Sequence, residues 1–247
     1  MDKLILGGTM ELKEVVFCRK STRKYLMEEV DSITYNKIKD YSSHLKRCEQ
    51  DIKTEIKFLE PKDVLSFLPF KAPHYVAIYS EEKSNYLTNA GFMLEQLDLF
   101  IQSQGLGCCW VGLAKAAKLE SNGLKFVIML AFGKPDCEDA LRPVEAFKRK
   151  PMNEICDFFD EKLEPARLAP SSMNSQPWYF THEDDIYHVF CKTPNILESI
   201  ALKNFNKIDI GCALCNIYVN NSETFETFKA AAAKPVNKYY YVCSFKI

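Results

Sequence analysis

Three short segments of this chain carry residue types whose chemistry belongs together. Arg19-Lys20-Ser21-Thr22-Arg23 sets three cations and two hydroxyls within five residues. A guanidinium offers a planar fork to phosphate oxygens and Ser and Thr add neutral donors, so this run suits a phosphate group. A solvated charge run at the start of a helix is the plainer alternative. Ala169-Pro170-Ser171-Ser172-Met173-Asn174-Ser175-Gln176-Pro177-Trp178 places small donors and acceptors between prolines and ends on a Trp. Ser, Asn and Gln pair with the polar edges of a flat heterocycle, and the prolines stiffen the loop that presents them. A surface turn uses the same residue types but has no need of Gln-Pro-Trp directly after it. In Gly105-Leu106-Gly107-Cys108-Cys109-Trp110-Val111-Gly112 the small residues let backbone approach a ligand ring, which Trp110 can stack on or wall off. A helix cap followed by a buried edge strand explains that segment equally well.

The elements that must position these segments follow from periodicity. Ser32 to Leu45 carries Ile33, Ile38, Tyr41 and Leu45 at near-helical spacing, with Ser32 and Thr34 as candidate caps. Asn89 to Ser103 is a second helix, crowded on its apolar side by Phe92, Leu94, Leu97 and Ile101, and Gly105 suits a left-handed stop behind it. Tyr75–Tyr79, Phe126–Leu130 and Tyr239–Cys243 read as strands. Glycine-rich βαβ alternation is missing, which argues against a Rossmann fold and for α+β.

Composition narrows the class further. A hydrophobic fraction of 47% with 26% charged residues fits a folded globular chain, and 32 Lys+Arg against 33 Asp+Glu leave a formal net charge of −1. That balance points away from nucleic acid and anionic membrane surfaces, although a local basic patch still accommodates one phosphate. No apolar run reaches the roughly 20 residues needed to span a bilayer, and residues 1–9 read as a leader or alternative start ahead of the helical patterning. The 10 cysteines lie mostly in apolar stretches, so they read as packed thiols of a reducing, cytoplasmic compartment, not as a disulfide framework. Cys212 and Cys215 form a single C-x-x-C, short of the four ligands a zinc site wants.

An internal echo runs through the chain. Asn89-Ala90-Gly91-Phe92-Met93-Leu94 is matched 120 positions on by Asp209-Ile210-Gly211-Cys212-Ala213-Leu214. Leu130-Ala131-Phe132 is matched 113 positions on by Cys243-Ser244-Phe245, and Ile38-Lys39-Asp40-Tyr41, in a helix, 117 on by Ile155-Cys156-Asp157-Phe158. Preserved order and near-constant offset favour two related halves, 10–150 and 151–247, that meet near Lys150-Pro151.

Taken together, these segments resemble the FMN-dependent nitroreductase family, over nearly everything from Met10 onward. Arg19 to Tyr25 is similar to that family's opening R-R-S-x-R-x-F, Leu168 to Trp178 to its L-A-P-S-S-x-N-x-Q-P-W loop, and Asn89 to Gly112 to its dimer helix and following G-L-G-x-C-W-x-G. Lys148-Arg149-Lys150-Pro151 resembles its basic R-K-P-L-E-E stretch. The resemblance implies an α+β, three-layer fold with a mainly antiparallel central sheet and flanking helices. It implies FMN as cofactor and NADH or NADPH as reductant, with electrons passing to a nitroaromatic, quinone or similar small-molecule acceptor. Arg19, Lys20, Ser21 and Arg23 would grip the phosphate end, with Arg149 as a second phosphate cation. Ser171, Ser172, Asn174 and Gln176 would address the ribityl chain and the flavin's polar edge, with Met173 in the same loop, while Trp110, Val111 and Gly112 form a wall.

One departure is informative. Phe67-Leu68-Pro69-Phe70-Lys71-Ala72-Pro73-His74 stands where family members carry the Ser-Ser-Asn-Gln loop, and that loop occurs here only in the second half. In the family two subunits build each flavin site. This chain therefore resembles the tandem-repeat branch: a fused, monomeric pseudo-dimer with one composite site and an empty counterpart. The flavin carries the chemistry, so no side-chain nucleophile or acid–base pair is required. A flavin-binding sensor or flavin-handling protein without turnover stays open as an alternative.

Overall fold

The computed structural model describes residues 10–137, 141–194, 200–230 and 233–247, and the expectation for residues 1–9 lies outside them. In chain order the first part builds α1 (Leu12–Val16), α2 (Ser32–Ser43), β1 (Thr54–Leu59), β2 (Val64–Leu65), β3 (His74–Ser80), α3 (Tyr86–Ser103), β4 (Gly107–Val111), β5 (Lys115–Ala116), β6 (Glu120–Ser121) and β7 (Leu124–Gly133). The second part adds α4 (Glu164–Leu168), β8 (Trp178–Glu183), β9 (Ile186–Lys192), α5 (Ile200–Asn220), β10 (Glu226–Phe228) and β11 (Tyr239–Lys246).

The α+β class and its antiparallel pairing are as expected, distributed over two main sheets. One runs β1-β3-β7-β4 with β6 also on β7, and the other runs β8-β9-β11-β10. Every ladder is antiparallel. The two paths have the same wiring: first strand, second strand, fourth, third, with a long helix between the second and third. The β3–β7 ladder shifts register between Ile78 and Tyr79, and the β9–β11 ladder shifts between Tyr241 and Cys243.

The two long helices pack on each other at the centre. α3 is buried almost all round, and its apolar residues Phe92, Leu94, Leu97 and Ile101 join Ile208, Ile210, Leu214 and Ile217 of α5 in the main core. Gly91 lies against the carbonyl of Ile208, and Gly211 lies against the carbonyl of Thr88, so a Cβ on either glycine would strike backbone. These two contacts are related by the same 120-residue offset, so each helix presents the same patch to the other. A second, smaller core of Tyr75, Ala77, Val111, Met129 and Ala131 lies on the other face of the first sheet.

Several local expectations need correction. The cap of α2 is Asp31, whose carboxylate accepts from the Thr34 amide at 2.9 Å, because Ser32 and Thr34 are already inside the helix. Ile155–Phe158 is not helical. A 3-10 turn over Met152–Glu154 ends there with the Ile155 and Cys156 amides donating to the Met152 carbonyl, and Cys156 bridges to Phe180, whose amide donates to the Ile155 carbonyl at 2.8 Å. Gly105 does take the left-handed conformation behind α3, with φ at 76°.

Candidate functional site

The first basic segment is pinned to the sheet before it meets any ligand. The Thr22 amide donates to the Cys108 carbonyl at 2.9 Å, and the Tyr25 hydroxyl donates to the Thr22 carbonyl at 2.6 Å. Ser21 therefore lies beside β4 and Arg23 projects to solvent. Both line a cleft of ≈ 440 Å³ between the two parts of the chain, within the range of small-molecule and cofactor sites. Trp110 and Gly112 come from the end of β4, and Pro170, Ser171, Ser172 and Met173 face them from the second part. Leu68 and Phe70 border the same cleft from the segment that lacks the Ser-Ser-Asn-Gln motif.

Trp110 is held by its ring nitrogen, which donates to Glu95 Oε2 at 3.1 Å. Gly112 borders the cleft beside the Phe205 ring, and a Cβ there would sit a tight 3.0 Å from Phe205 Cε1. Val111 points the other way, as alternation along a strand requires, and is buried in the smaller core.

Ser171 to Gln176 is a strained loop. Met173, Asn174 and Gln176 have φ of 52°, 57° and 47°, conformations that cost on the order of 1–3 kcal/mol each in a residue other than glycine. Four anchors hold it. Ser171 Oγ accepts the Gln176 amide at 3.0 Å. Arg149 Nη1 donates to Asn174 Oδ1 at 2.6 Å, while Asn174 Nδ2 donates to the Lys148 carbonyl at 2.8 Å. Gln176 Oε1 accepts the Lys150 amide at 2.7 Å. The Ser172 amide donates to both oxygens of Asp209, at 3.1 and 3.0 Å. Asn174 and Gln176, expected to face the flavin edge, thus stitch the loop to the Lys148–Lys150 stretch and do not line the cleft. Met173 lines it and is 91% exposed.

Arg19 is enclosed and also absent from the cleft lining. Its Nε donates to Asp98 Oδ2 at 2.8 Å, Glu95 Oε1 lies 3.9 Å away, and its Nη2 is buried without a hydrogen-bond partner. Burial works against its charge, yet Asp98 and Glu95 hold it above the ordinary arginine range. Burial, with Asp98 close by, drives the Glu95 carboxyl well up. The Lys20 amide donates to Gln102 Oε1 at 2.9 Å, which ties this segment to α3.

Two more guanidinium groups gather here. Arg142 donates through Nε to the Arg19 carbonyl at 3.0 Å and stacks on the Phe147 ring, 3.6 Å from its centroid. Burial and then Arg19 lower its pKa to about 10. Burial followed by Arg142 and Arg19 lowers that of Arg149 to about 10 as well, and Arg149 Nε is buried without a partner. Three mutually repelling guanidiniums with two orphaned donors form a cradle that an anion would stabilise. Among the described residues no cluster of metal-ligating side chains accompanies it, and no helix is long and apolar enough to cross a membrane.

The motifs marked Ser21, Arg23, Trp110, Gly112 and Ser171 to Met173, which the fold brings together. They did not mark Arg142, which stands in no motif, nor Asp209, whose signal was its place opposite Asn89 in the internal echo. A second, smaller cavity of ≈ 90 Å³ is lined by Asn85 and Thr88, which precede the cleft residues Phe205 and Ile208 by 120 positions.

A family model described as "Putative TM nitroreductase" matches residues 11–221. Among solved structures, a "putative nitroreductase" from Thermotoga maritima MSB8 is similar over 99% of this chain and 97% of its own, at 21% identity and a TM-score of 0.63, a likeness of fold. A nitroreductase family protein from Clostridium difficile 630 matches 61% of this chain and 97% of its own, at 12% identity and a TM-score of 0.47. An FMN-dependent nitroreductase from Clostridium difficile R20291 matches 52% of this chain and 92% of its own, at 15% identity and a TM-score of 0.42. No curated protein sequence matches.

Proposed function

The chain belongs to the "Putative TM nitroreductase" family, and from that premise we propose that it is an FMN-dependent oxidoreductase with one flavin site shared between two related halves. The observation that carries this reading is the cleft itself. It joins Ser21, Arg23 and Trp110 to Ser171, Ser172 and Met173, segments about 60 to 150 residues apart in sequence whose motifs separately resemble flavin-binding ones.

FMN, when bound, would supply hydride chemistry, accepting from NADH or NADPH and reducing a small nitroaromatic or quinone-like acceptor. The chain's own residues bind and orient it. The guanidinium cradle of Arg19, Arg142 and Arg149 suits the phosphate: it has two unpartnered buried donors and excess positive charge. Ser21 and Arg23 extend that grip into the cleft. Trp110, fixed by Glu95, walls one side, and the Ser171–Met173 turn faces it from the other half. The common wiring of the two sheets and the paired Gly91 and Gly211 contacts support an internal duplication, with halves 10–150 and 151–247. Because that helix contact lies inside one chain, a monomer suffices to build the site.

The test is a visible spectrum of the purified protein with FMN, followed by anaerobic addition of NADH or NADPH. One flavin per chain, bleached by the nicotinamide and lost in Arg23→Ala, is the expected result. Flavin that binds and never bleaches assigns a sensor or flavin-handling role. No flavin binding overturns the site.

A further inference from the structure

Asp209 is a buried carboxylate on the wall of the cleft that the reading above leaves without a task. It is 5% exposed, lies on α5, and lines the cleft beside Ser171, Ser172 and Met173. Its oxygens take the Ser172 amide at 3.1 and 3.0 Å and the Ser175 hydroxyl at 3.4 Å. The amide lies nearly equidistant from the two carboxyl oxygens, so Asp209 acts toward the loop as an acceptor, a role that the ionised form fills best.

The molecule contains a comparison for this residue. Asn89, 120 positions earlier on α3, accepts the amides of Cys48 and Glu49 on its Oδ1 at 3.1 and 3.2 Å. A neutral amide therefore holds a backbone segment from the same place in the repeat. An acid stands at the corresponding position where the segment held is the strained Ser171–Gln176 loop.

We infer that Asp209 is a positioning residue that holds the Ser171–Met173 turn against the cleft when ionised and loosens it when protonated. Hydrogen bonds to a charged acceptor are roughly twice as strong as neutral ones, so loss of the charge weakens the anchor that opposes the loop's strain. Burial pushes this carboxyl up to about 8, against the Ser172 and Ser175 hydrogen bonds, which favour the ion. The thiols nearest to it stay neutral over that range. Burial raises the Cys191 thiol on β9 to about 11 and drives the Cys212 thiol, one turn along α5, well up. Lys207 is exposed on the same helix, and Arg23 lines the cleft opposite as an exposed cation. No cation pairs with Asp209 among the described residues. What the loop presents rests on the flavin reading, but the loop's dependence on Asp209 does not.

Trp178 follows the loop directly and is fully buried, and Trp110 is the other tryptophan of the chain. In a Trp110→Phe background and without flavin, Trp178 emission is expected to titrate with a midpoint near pH 8 and to lie flat in Asp209→Asn. Ser175→Ala removes a donor to the ion and should move the midpoint to higher pH. In the protein with both tryptophans, FMN should bind ~3- to 10-fold tighter at pH 9 than at pH 7, and equally at both in Asp209→Asn. A flat wild-type titration, or one that survives in Asp209→Asn, overturns the inference. Should that variant not fold, an unmoved midpoint in Ser175→Ala does the same. A Trp178 titration abolished by Asp209→Asn, in a protein that takes no FMN at any pH, keeps the inference and removes the flavin reading.

Discussion

Two of the cavities beside the α3–α5 crossing occupy corresponding places on the two sheets, yet one measures ≈ 440 Å³ and the other ≈ 90 Å³. Side chains account for the difference, since the strand paths are the same. On the small side the amine of Lys229 reaches back to the Val242 carbonyl, Thr227 Oγ1 donates to the Cys48 carbonyl at 3.1 Å, and Asn85 Nδ2 donates to Glu49 Oε1 at 2.6 Å. On the large side, register puts Trp110 where Lys229 stands, since Cys108 faces Phe132 as Thr227 faces Phe245. Trp110 turns aside to Glu95, and Gly112 adds no side chain. On the duplication proposed above, the scaffold would yield one site by filling its twin with hydrogen-bonded polar groups, not by altering the backbone that frames both.

The strongest test of this comparison strikes what both sides share. Gly211→Ala forces a Cβ into the Thr88 carbonyl, and the overpacking should cost ~3 kcal/mol or more, lowering Tm by ~10 °C with both cavities lost together. A calorimetric scan reads it, and an unchanged Tm would mean that the crossing is not the shared keystone. The next test separates the sides. Arg142→Ala should weaken FMN binding ~10-fold, the size of one charge-assisted hydrogen bond, while leaving riboflavin, which has no phosphate, nearly unaffected. Equal loss for both ligands, measured by fluorescence quenching, would remove Arg142 from the phosphate cradle.

Lys229→Ala probes the filled twin. It leaves the Val242 carbonyl without its amine and should cost ~1 kcal/mol in denaturant melts, with flavin stoichiometry still one per chain. A second bound flavin would break the comparison outright. The smallest expected effect is acid sensitivity spread over both sheets. His74 Nε2 accepts the Val30 amide at 3.0 Å, and His188 Nδ1 meets Ser244 Oγ at 2.7 Å. Burial lowers both imidazole pKa values. Below pH ~6.5 the unfolded chain therefore binds more protons than the native one, so stability is full above that pH and declines as pH falls. His74→Gln should flatten that decline only in part, as urea melts at pH 5 and pH 7 will read.

Much of this was legible beforehand where one physical signal acts alone. Strand runs such as Tyr239–Cys243 and the α3 helix followed from periodicity, and Gly105 from its lack of a Cβ. Ile155–Phe158 misled because an apolar pair around an acid fits a helix or a bridged turn, and only the partner strand decides between them. Asn174 and Gln176 were recognisable as loop residues. Their partners, Arg149 and the Lys150 amide, depend on how the chain returns after β7, which no local pattern encodes. Arg142 was opaque for the same reason, and the echo of Asn89 marked the position of Asp209 without its role, because both roles exist only between elements.

The mutual burial of α3 and α5 has a consequence for the chain as it is made. α3 leaves the ribosome ~100 residues before α5, which at ~5–20 residues per second leaves its apolar face uncovered for about 5–20 seconds. The first sheet is complete by then, yet its main helix has no lid of its own. A nascent or truncated first half would therefore present the Gly91–Phe92 face, which Ile208 and Tyr218 of α5 cover, to chaperones and proteases, so the second half serves first as the cover that lets the first one survive synthesis.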